Sequence, residues 1–123
     1  MRDYTNDIRT YLEKERQVLA SLDEAEISLV MNILEDTRLS GNRVFICGNG
    51  GSAATASQFT CDFNKGISYS QDVKYNFGCL NDNVPMMMAI ANDISYEDIF
   101  SEPLKKQDEK RGRSFCYIRK WQF

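Results

Sequence analysis

The amino-acid sequence predicts an α/β protein, a doubly wound, Rossmann-like parallel sheet flanked by helices, of which the chain carries the N-terminal half. Apolar residues recur at helical spacing through residues 1–42. A short, nearly continuous apolar run follows over residues 43–47, which is typical of a strand buried on both faces of a parallel sheet. A glycine-rich turn over residues 48–52 then joins this strand to another helical stretch, as at the start of a βα unit.

Two amphipathic helices are predicted before the first strand. Apolar residues spaced by three and four over residues 3–21 indicate the first helix. Asp23 is placed to cap the second helix, with Glu26 three residues later to bond back to the cap. Gly41 ends that helix, because glycine readily adopts the left-handed conformation that follows a helix. We expect residues 1–42 to form an N-terminal helical pair.

The α/β half domain is expected to cover residues 43–110. After the glycine turn, the pattern predicts a helix over residues 52–63, capped by Ser52 and closed by the Asn-Lys-Gly segment at 64–66. Four further segments are expected in chain order: a loop over residues 67–72, a weaker strand over 74–80, and helices over 86–91 and 96–107.

The composition excludes several classes of protein. The chain has 123 residues, which suits one domain, and a net charge of −3, which argues against nucleic-acid and membrane partners. No apolar run approaches the roughly 20 residues of a membrane span, and the N-terminus lacks the apolar core of a signal peptide, so we expect a cytoplasmic protein. The sequence contains no Cys-x-x-Cys pair and no histidine, the commonest general acid–base residue and metal ligand.

The segment Gly48-Asn49-Gly50-Gly51-Ser52 predicts an anion-binding turn. Glycines let the backbone turn sharply and let a ligand approach the main chain. The first turn of the following helix leaves N–H groups without intrahelical partners, and these groups, with the helix dipole, bind anions such as phosphate. A plain strand-to-helix connection without a ligand would need fewer glycines.

A dinucleotide site is the less favoured alternative for the same turn. The segment fits Gly-x-Gly-x-x-Ala, which by itself is a loose signal. Such a site requires an acidic residue at the end of the next strand, about 20 residues on. Asp82 is the nearest candidate at a strand end, and it lies too far along the chain.

Two further groups of polar residues are candidates for chemistry. Thr55, Gln58 and Asp62 share one face of the helix after the turn, and Asp62 could act as a general base. Spacing alone favours a solvated helix face instead. Asn92 and Asp93 follow an apolar stretch and could either cap the next helix or hydrogen-bond sugar hydroxyls. Spacing does not decide between these two roles.

Three segments carry a resemblance to a known family. Their sequences are Cys-Gly-Asn-Gly-Gly-Ser-Ala-Ala over residues 47–54, Ala-Ile-Ala-Asn-Asp over 89–93 and Tyr-Glu-Asp-Ile-Phe over 96–100. Over about residues 4–107 the chain resembles the sugar isomerase domain family, and within it the phosphoheptose isomerases. The resemblance implies a five-stranded parallel sheet in a homotetramer with sites near subunit interfaces. It also implies aldose–ketose isomerisation of a sugar phosphate, sedoheptulose 7-phosphate.

The resemblance also implies roles for individual residues. Asp62 stands where the family has a glutamate that moves the proton, and its side chain is one methylene shorter. Gln58 stands where several members have a zinc-binding histidine, and because glutamine is a poor zinc ligand we expect neither zinc nor another cofactor. The residues implied to contact the sugar phosphate are Asn49, Gly50, Gly51, Ser52, Asn92 and Asp93.

The end of the sequence departs from the family. Members continue with further strands, a second serine-rich phosphate loop and an acid–base histidine, and residues 111–123 resemble none of these. Codons compatible with residues 116–123, read one base later, encode Ala-Ile-Ser-Gly-Ser-Gly-Asn-Ser, which matches the absent loop. We therefore interpret residues 111–123 as an out-of-frame tail that follows a frameshift, and expect an incomplete core that is poorly stable or prone to aggregation.

Two classes of function follow from these observations. The first is a phosphosugar isomerase by descent, incomplete as it stands. The second is a non-catalytic phosphosugar-binding or regulatory protein, which the absent histidine and the shorter Asp62 side chain favour. No DNA-binding helix-turn-helix is apparent in residues 1–42, which weakens a transcriptional version of the second class.

Overall fold

The computed structural model describes residues 1–108, so the predicted out-of-frame tail at 111–123 lies outside the described residues. The fold separates into two compact units, Met1–Asn32 and a second unit that begins at Ile33. The predicted division after residue 42, between a helical pair and a half domain, stays a prediction. None of the helices in this part of the chain is long and apolar enough to cross a membrane.

Two helices open the chain, as the spacing of apolar residues predicts. Helix α1 covers Thr5–Ala20, and helix α2 covers Glu24–Leu39. The predicted cap of α2 is confirmed, because Asp23 Oδ1 accepts hydrogen bonds from the N–H groups of Ala25 at 2.8 Å and Glu26 at 3.2 Å. Helix α1 contains no buried residue.

Helix α2 ends in a Schellman motif. The Gly41 N–H donates to the Arg38 carbonyl, and the Asn42 N–H donates to the Thr37 carbonyl, each at 3.0 Å. Gly41 has a φ of 68°, which is the left-handed conformation that the sequence predicts at this position. The chain therefore turns sharply out of the helix and enters the first strand at Val44.

The described part of the sheet contains two parallel strands, β1 at Val44–Ile46 and β2 at Phe77–Cys79. All three residues of β1 are buried, as expected for a strand covered on both faces. Strand β2 is shorter than the predicted run 74–80. Parallel neighbours require a crossover connection, and helix α3, Gly51–Cys61, supplies it. The predicted α/β class with a parallel sheet is therefore confirmed.

One face of the sheet packs against α3 and the end of α2 around an apolar core. The buried members of this core are Leu34, Val44, Ile46, Ala56 and Phe77. Aromatic rings extend it, because the Phe63 ring centroid lies 4.6 Å from that of Phe59 and 4.5 Å from that of Phe77. The Tyr75 ring meets Phe63 edge-on at 4.9 Å. The rings of Phe59 and Phe63 thus lie against the sheet.

Helix α3 differs from the prediction at both ends. It begins at Gly51 with Gly50 in the N-cap position and no side-chain cap, so the prediction that Ser52 caps it is wrong. The predicted closing Asn-Lys-Gly segment does not end the helical path. The chain continues as a π turn, Asp62–Gly66, and a 3₁₀ turn, Ile67–Ser70, in place of the expected loop.

Side-chain contacts with the second strand explain this extension. The Asn64 side chain accepts a hydrogen bond from the Phe77 N–H at 2.7 Å and donates to the Phe77 carbonyl at 2.9 Å. The fully buried Ser68 hydroxyl accepts from the Tyr75 N–H at 2.8 Å. The wide turn brings both side chains to the outer edge of β2, where they satisfy backbone groups that the sheet leaves unpaired there.

The last two helices are close to their predicted positions. Helix α4 covers Val84–Asp93 and contains the predicted stretch 86–91. The predicted helix over 96–107 is divided into a 3₁₀ turn, Tyr96–Asp98, and helix α5, Ser101–Asp108. The break follows from the Asp98 carboxylate, which accepts hydrogen bonds at 2.8 Å from the serine hydroxyls on either side of the turn.

A polar network ties the end of α2 to the segment before β2. The Arg38 guanidinium, which is largely buried, forms two hydrogen bonds with the Glu35 carboxylate and donates to the Val73 carbonyl at 2.7 Å. The Tyr75 hydroxyl donates to Glu35 Oε2 at 2.8 Å. Hydrogen bonds from Arg38 and then from Tyr75 lower the pKa of Glu35 from its usual 4.5 to about 2.

This pKa predicts how stability depends on pH. A carboxyl with a lower pKa in the folded state stabilises the fold above its unfolded pKa, and that contribution is lost as the pH falls through the folded pKa. We expect the free energy of unfolding to fall between about pH 4.5 and about pH 2, and Glu35→Gln to remove this part of the slope. Urea unfolding at a series of pH values measures it, with Asp36→Asn on the exposed neighbouring residue as the control. An unchanged slope in Glu35→Gln would contradict the assignment.

Candidate functional site

The glycine turn at the carboxyl end of β1 is built on two glycines that no other residue replaces without strain. Gly48 is buried, and a Cβ atom on it would lie 2.6 Å from the backbone carbon and oxygen of Ser52. Gly50 has φ 54° and ψ −124°, a combination that side chains exclude. The turn therefore brings the end of the strand directly against the first turn of α3.

The exposed side of this turn offers backbone donors. The Ser52 N–H donates to the Asn49 carbonyl at 3.0 Å, and the Ala53 N–H donates to the Gly50 carbonyl at 3.1 Å. The N–H groups of Gly50 and Gly51 belong to the helix end, where intrahelical acceptors are missing. Within the described residues, and apart from the neighbouring residues and the backbone of the helix itself, no atom lies within 4 Å of the position that a Cβ on Gly51 would take. A ligand can therefore approach the main chain at Gly51.

Asn49 is oriented by a residue from another part of the chain. The Tyr96 hydroxyl donates a hydrogen bond to Asn49 Oδ1 at 3.2 Å. This contact occupies the acceptor end of the Asn49 amide and leaves its Nδ2 donors available for a ligand. It also connects the glycine turn to the 3₁₀ turn that begins three residues after Asp93. Sequence reasoning did not single out Tyr96 as a site residue, although it lies in one of the family motifs.

Asn92 and Asp93 are the last two residues of α4 and are exposed. The Asn92 amide donates to Asp93 Oδ1 at 2.8 Å. Of the two roles left open by the sequence, capping of the next helix is wrong, because Ser95 occupies the N-cap position of the 3₁₀ turn that follows. Both polar side chains face solvent and remain candidates for sugar hydroxyls.

Asp62 lies away from the glycine turn of its own chain. It stands at the end of α3, ten residues after Ser52, which at the rise of a helix is about 15 Å. Its carboxylate is exposed and accepts a hydrogen bond from Gln58 Nε2 at 2.8 Å. The predicted solvated helix face is therefore what the structure shows at these two residues.

Among the described residues, no three His, Cys, Asp or Glu side chains are grouped as metal ligands.

A separate cavity of about 220 Å³ lies on the other face of the sheet. Its walls are mainly apolar, and Arg43 supplies a cation whose guanidinium lies 4.9 Å from the Phe45 ring centroid. None of the predicted site residues lines this cavity. It is therefore separate from the glycine turn.

These features define the class of doubly wound α/β domains in which the first strand leads through a glycine turn into a helix. Comparison with known proteins narrows the class. The chain is 30% identical over 97 residues to a phosphoheptose isomerase of Pseudoalteromonas atlantica. The matched region covers 77% of this chain and 49% of that protein. It is 32% identical over 95 residues to the lincomycin biosynthesis protein LmbN of Streptomyces lincolnensis, over 77% of this chain and 34% of that protein.

A solved structure gives the same result for the fold. The chain superposes on a phosphoheptose isomerase from Francisella tularensis with a TM-score of 0.77 at 19% identity, over 96% of this chain and 61% of that chain. No protein-family model matches. The chain is a homologue of the phosphoheptose isomerases in sequence, and it shares their fold. It spans about half of the length of the phosphoheptose isomerases that it matches.

Proposed function

We propose that the chain binds a sugar phosphate at the glycine turn and derives from an aldose–ketose isomerase of sedoheptulose 7-phosphate. The observation that carries this proposal is the turn itself: Gly50 and Gly51 open the backbone N–H groups of a helix end to solvent at the carboxyl end of a parallel strand. The phosphoheptose isomerases that the chain resembles support this chemistry. Asn49 and Ser52 add side-chain donors beside the turn.

The isomerisation moves one proton between neighbouring sugar carbons. A carboxylate takes the proton from the hydroxyl-bearing carbon while the carbonyl oxygen gains a proton, which gives an enediol. The hydroxyl on the first carbon then loses its proton to become the new carbonyl, and the carboxylic acid returns its proton to the former carbonyl carbon. We assign this step to Asp62, with Asn92 and Asp93 holding sugar hydroxyls. Proton transfer alone completes this reaction, and Gln58 in place of a histidine supports a site without zinc.

A homo-oligomer is part of this proposal. Asp62 and Ser52 of one chain are about 15 Å apart along the helix, so a site near a subunit interface would let one copy supply the turn and another the carboxylate. Helix α1 has no buried residue, and its apolar side chains at Ile8, Tyr11 and Leu12 are more than half exposed. Sedimentation of the purified chain tests this, and a monomer at all concentrations would contradict it.

We also propose that the protein is located in the cytoplasm.

The second candidate is a phosphosugar-binding protein without catalysis. Two features of the sequence favour it: the chain contains no histidine to act as the second acid–base group, and Asp62 is one methylene shorter than the family's glutamate. Binding and catalysis must therefore be measured separately.

A thermal melt with and without sedoheptulose 7-phosphate tests binding. Because a ligand of the folded state stabilises it by mass action, we expect the melting temperature to rise with the phosphosugar and not with unphosphorylated sedoheptulose. A melt that neither compound shifts would sink the proposal. An isomerase assay then separates the two candidates: turnover that Asp62→Asn abolishes supports the enzyme, and binding without turnover supports the second candidate.

A further inference from the structure

Asn81 makes two hydrogen bonds with a single residue of the glycine turn. The Gly48 N–H donates to Asn81 Oδ1 at 2.9 Å, and Asn81 Nδ2 donates to the Gly48 carbonyl at 2.8 Å. The primary amide thus pairs with the main chain of Gly48 in the way that a second backbone would. The two residues are 33 positions apart in the sequence, so the contact is tertiary.

The sheet register explains why this contact forms. Val44 and Ile46 direct their N–H and carbonyl groups towards β2, as the bonds to Asn76 and from Leu80 show. Gly48 is two residues beyond Ile46 and therefore presents its backbone groups on the same side. The regular backbone pairing of β1 and β2 has ended there, and the side chain of Asn81 pairs with Gly48 in place of a strand backbone.

Gly48 in turn positions the helix end. A Cβ on Gly48 would meet Ser52 at 2.6 Å, so the two residues are in direct contact. Movement of Gly48 would therefore displace the first turn of α3, which carries the N–H groups that we assign to phosphate.

We infer that Asn81 is the positioning residue of the phosphate turn, holding Gly48 so that the helix end faces the ligand before the ligand arrives. This inference rests on the proposed function. Only a group that both donates and accepts at this place can satisfy the Gly48 N–H and carbonyl together. The charge of a carboxylate would serve the N–H and repel the carbonyl oxygen.

Asn81→Asp provides the test because it preserves shape and removes the donor. At about pH 8, where the introduced carboxyl is ionised, we expect the dissociation constant for sedoheptulose 7-phosphate to rise about tenfold or more relative to the unaltered chain. A protonated carboxyl regains a donor, and the facing carbonyl favours protonation. The ratio of the two dissociation constants should therefore fall towards one as the pH is lowered to about 4. A defect that does not depend on this hydrogen bond would not recover on acidification.

Asn83→Asp is the matched control. It makes the same charge change two residues away, where the side chain caps α4 by accepting from the Met86 N–H at 3.1 Å, a role that aspartate also performs. We expect this variant to bind within about twofold of the unaltered chain at both pH values. Equal weakening in the two variants would overturn the inference, as would unchanged binding in Asn81→Asp. If the unaltered chain itself fails to bind, the proposed function fails instead.

Hydrogen exchange on the unaltered chain provides a second measurement, which does not depend on the folding of a variant. The Gly48 amide is buried and bonded to Asn81, whereas Gly51 is exposed at the helix end. We expect the Gly48 amide to exchange at least about 100-fold more slowly than that of Gly51. Equal exchange rates would show that Asn81 does not hold the turn and would overturn the inference.

Discussion

Gly48→Ala is expected to abolish phosphosugar binding and to lower the free energy of unfolding by about 2–3 kcal/mol. The added methyl group would lie 2.6 Å from the backbone carbon and oxygen of Ser52 and 2.7 Å from its Cβ. Main-chain atoms of a helix cannot rotate away as the end of a side chain can, so α3 must shift relative to β1. That shift also breaks the pair of hydrogen bonds with Asn81. Urea unfolding and a phosphosugar titration measure the two effects.

The same substitution three residues later is the control. In the part of the chain that the structure describes, the Cβ position on Gly51 has no atom within 4 Å beyond its neighbours and the helix backbone. Gly51 is the first residue of α3, where alanine is favoured over glycine. We expect Gly51→Ala to leave the free energy of unfolding unchanged or to raise it by up to about 1 kcal/mol. A Gly48→Ala chain that is as stable as Gly51→Ala would show that the close approach to Ser52 is not a constraint.

Much of this fold follows from local pattern. The cap at Asp23, the Schellman motif at Gly41 and the buried first strand each depend on residues within a few positions of one another, and the structure has all three. A sequence records such short-range requirements directly, because a capping side chain or a left-handed glycine is needed whatever the rest of the chain does.

The features that the sequence did not predict depend on distant partners. The π turn after α3 exists because Asn64 reaches the backbone of Phe77, 13 residues away. Asn81 reaches Gly48 across 33 residues, and Tyr96 reaches Asn49 across 47. A polar side chain in a turn has no periodicity that reveals its partner, so these contacts require the register of the strands to be known first. Polar residues that follow β2, such as Asn81, could have been considered as partners of the glycine turn, because the carboxyl ends of the two parallel strands are adjacent.

Ser52 illustrates a different kind of error. Serine before an apolar helical stretch is a common cap, but here Gly50 takes that position because its positive φ turns the chain into the helix earlier. The serine hydroxyl is therefore not consumed by the helix end. This leaves it as a donor beside the turn, which agrees with the role that the family resemblance implies.

Phe77→Ala is expected to lower the free energy of unfolding by about 3–5 kcal/mol. The Phe77 side chain is 3% exposed, and its ring centroid lies 4.5 Å from that of Phe63 and 5.8 Å from that of Phe59. The backbone bonds to Asn64 survive the substitution, so the loss reports the ring alone. Thermal and urea unfolding measure it, and Tyr69→Ala, which removes an 84% exposed ring, should change stability by less than about 0.5 kcal/mol.

Such a loss is a large share of the 5–15 kcal/mol that an ordinary domain has, so part of the Phe77→Ala population should be unfolded. Its glycine turn and Asn81 are unaltered, however, and saturating phosphosugar should therefore raise its melting temperature about as much as that of the unaltered chain. Gly48→Ala should show no such rise, since its binding site is lost in the folded state. If the phosphosugar raises the melting temperature of the unaltered chain but of neither variant, the aromatic core and the turn form a single cooperative structure.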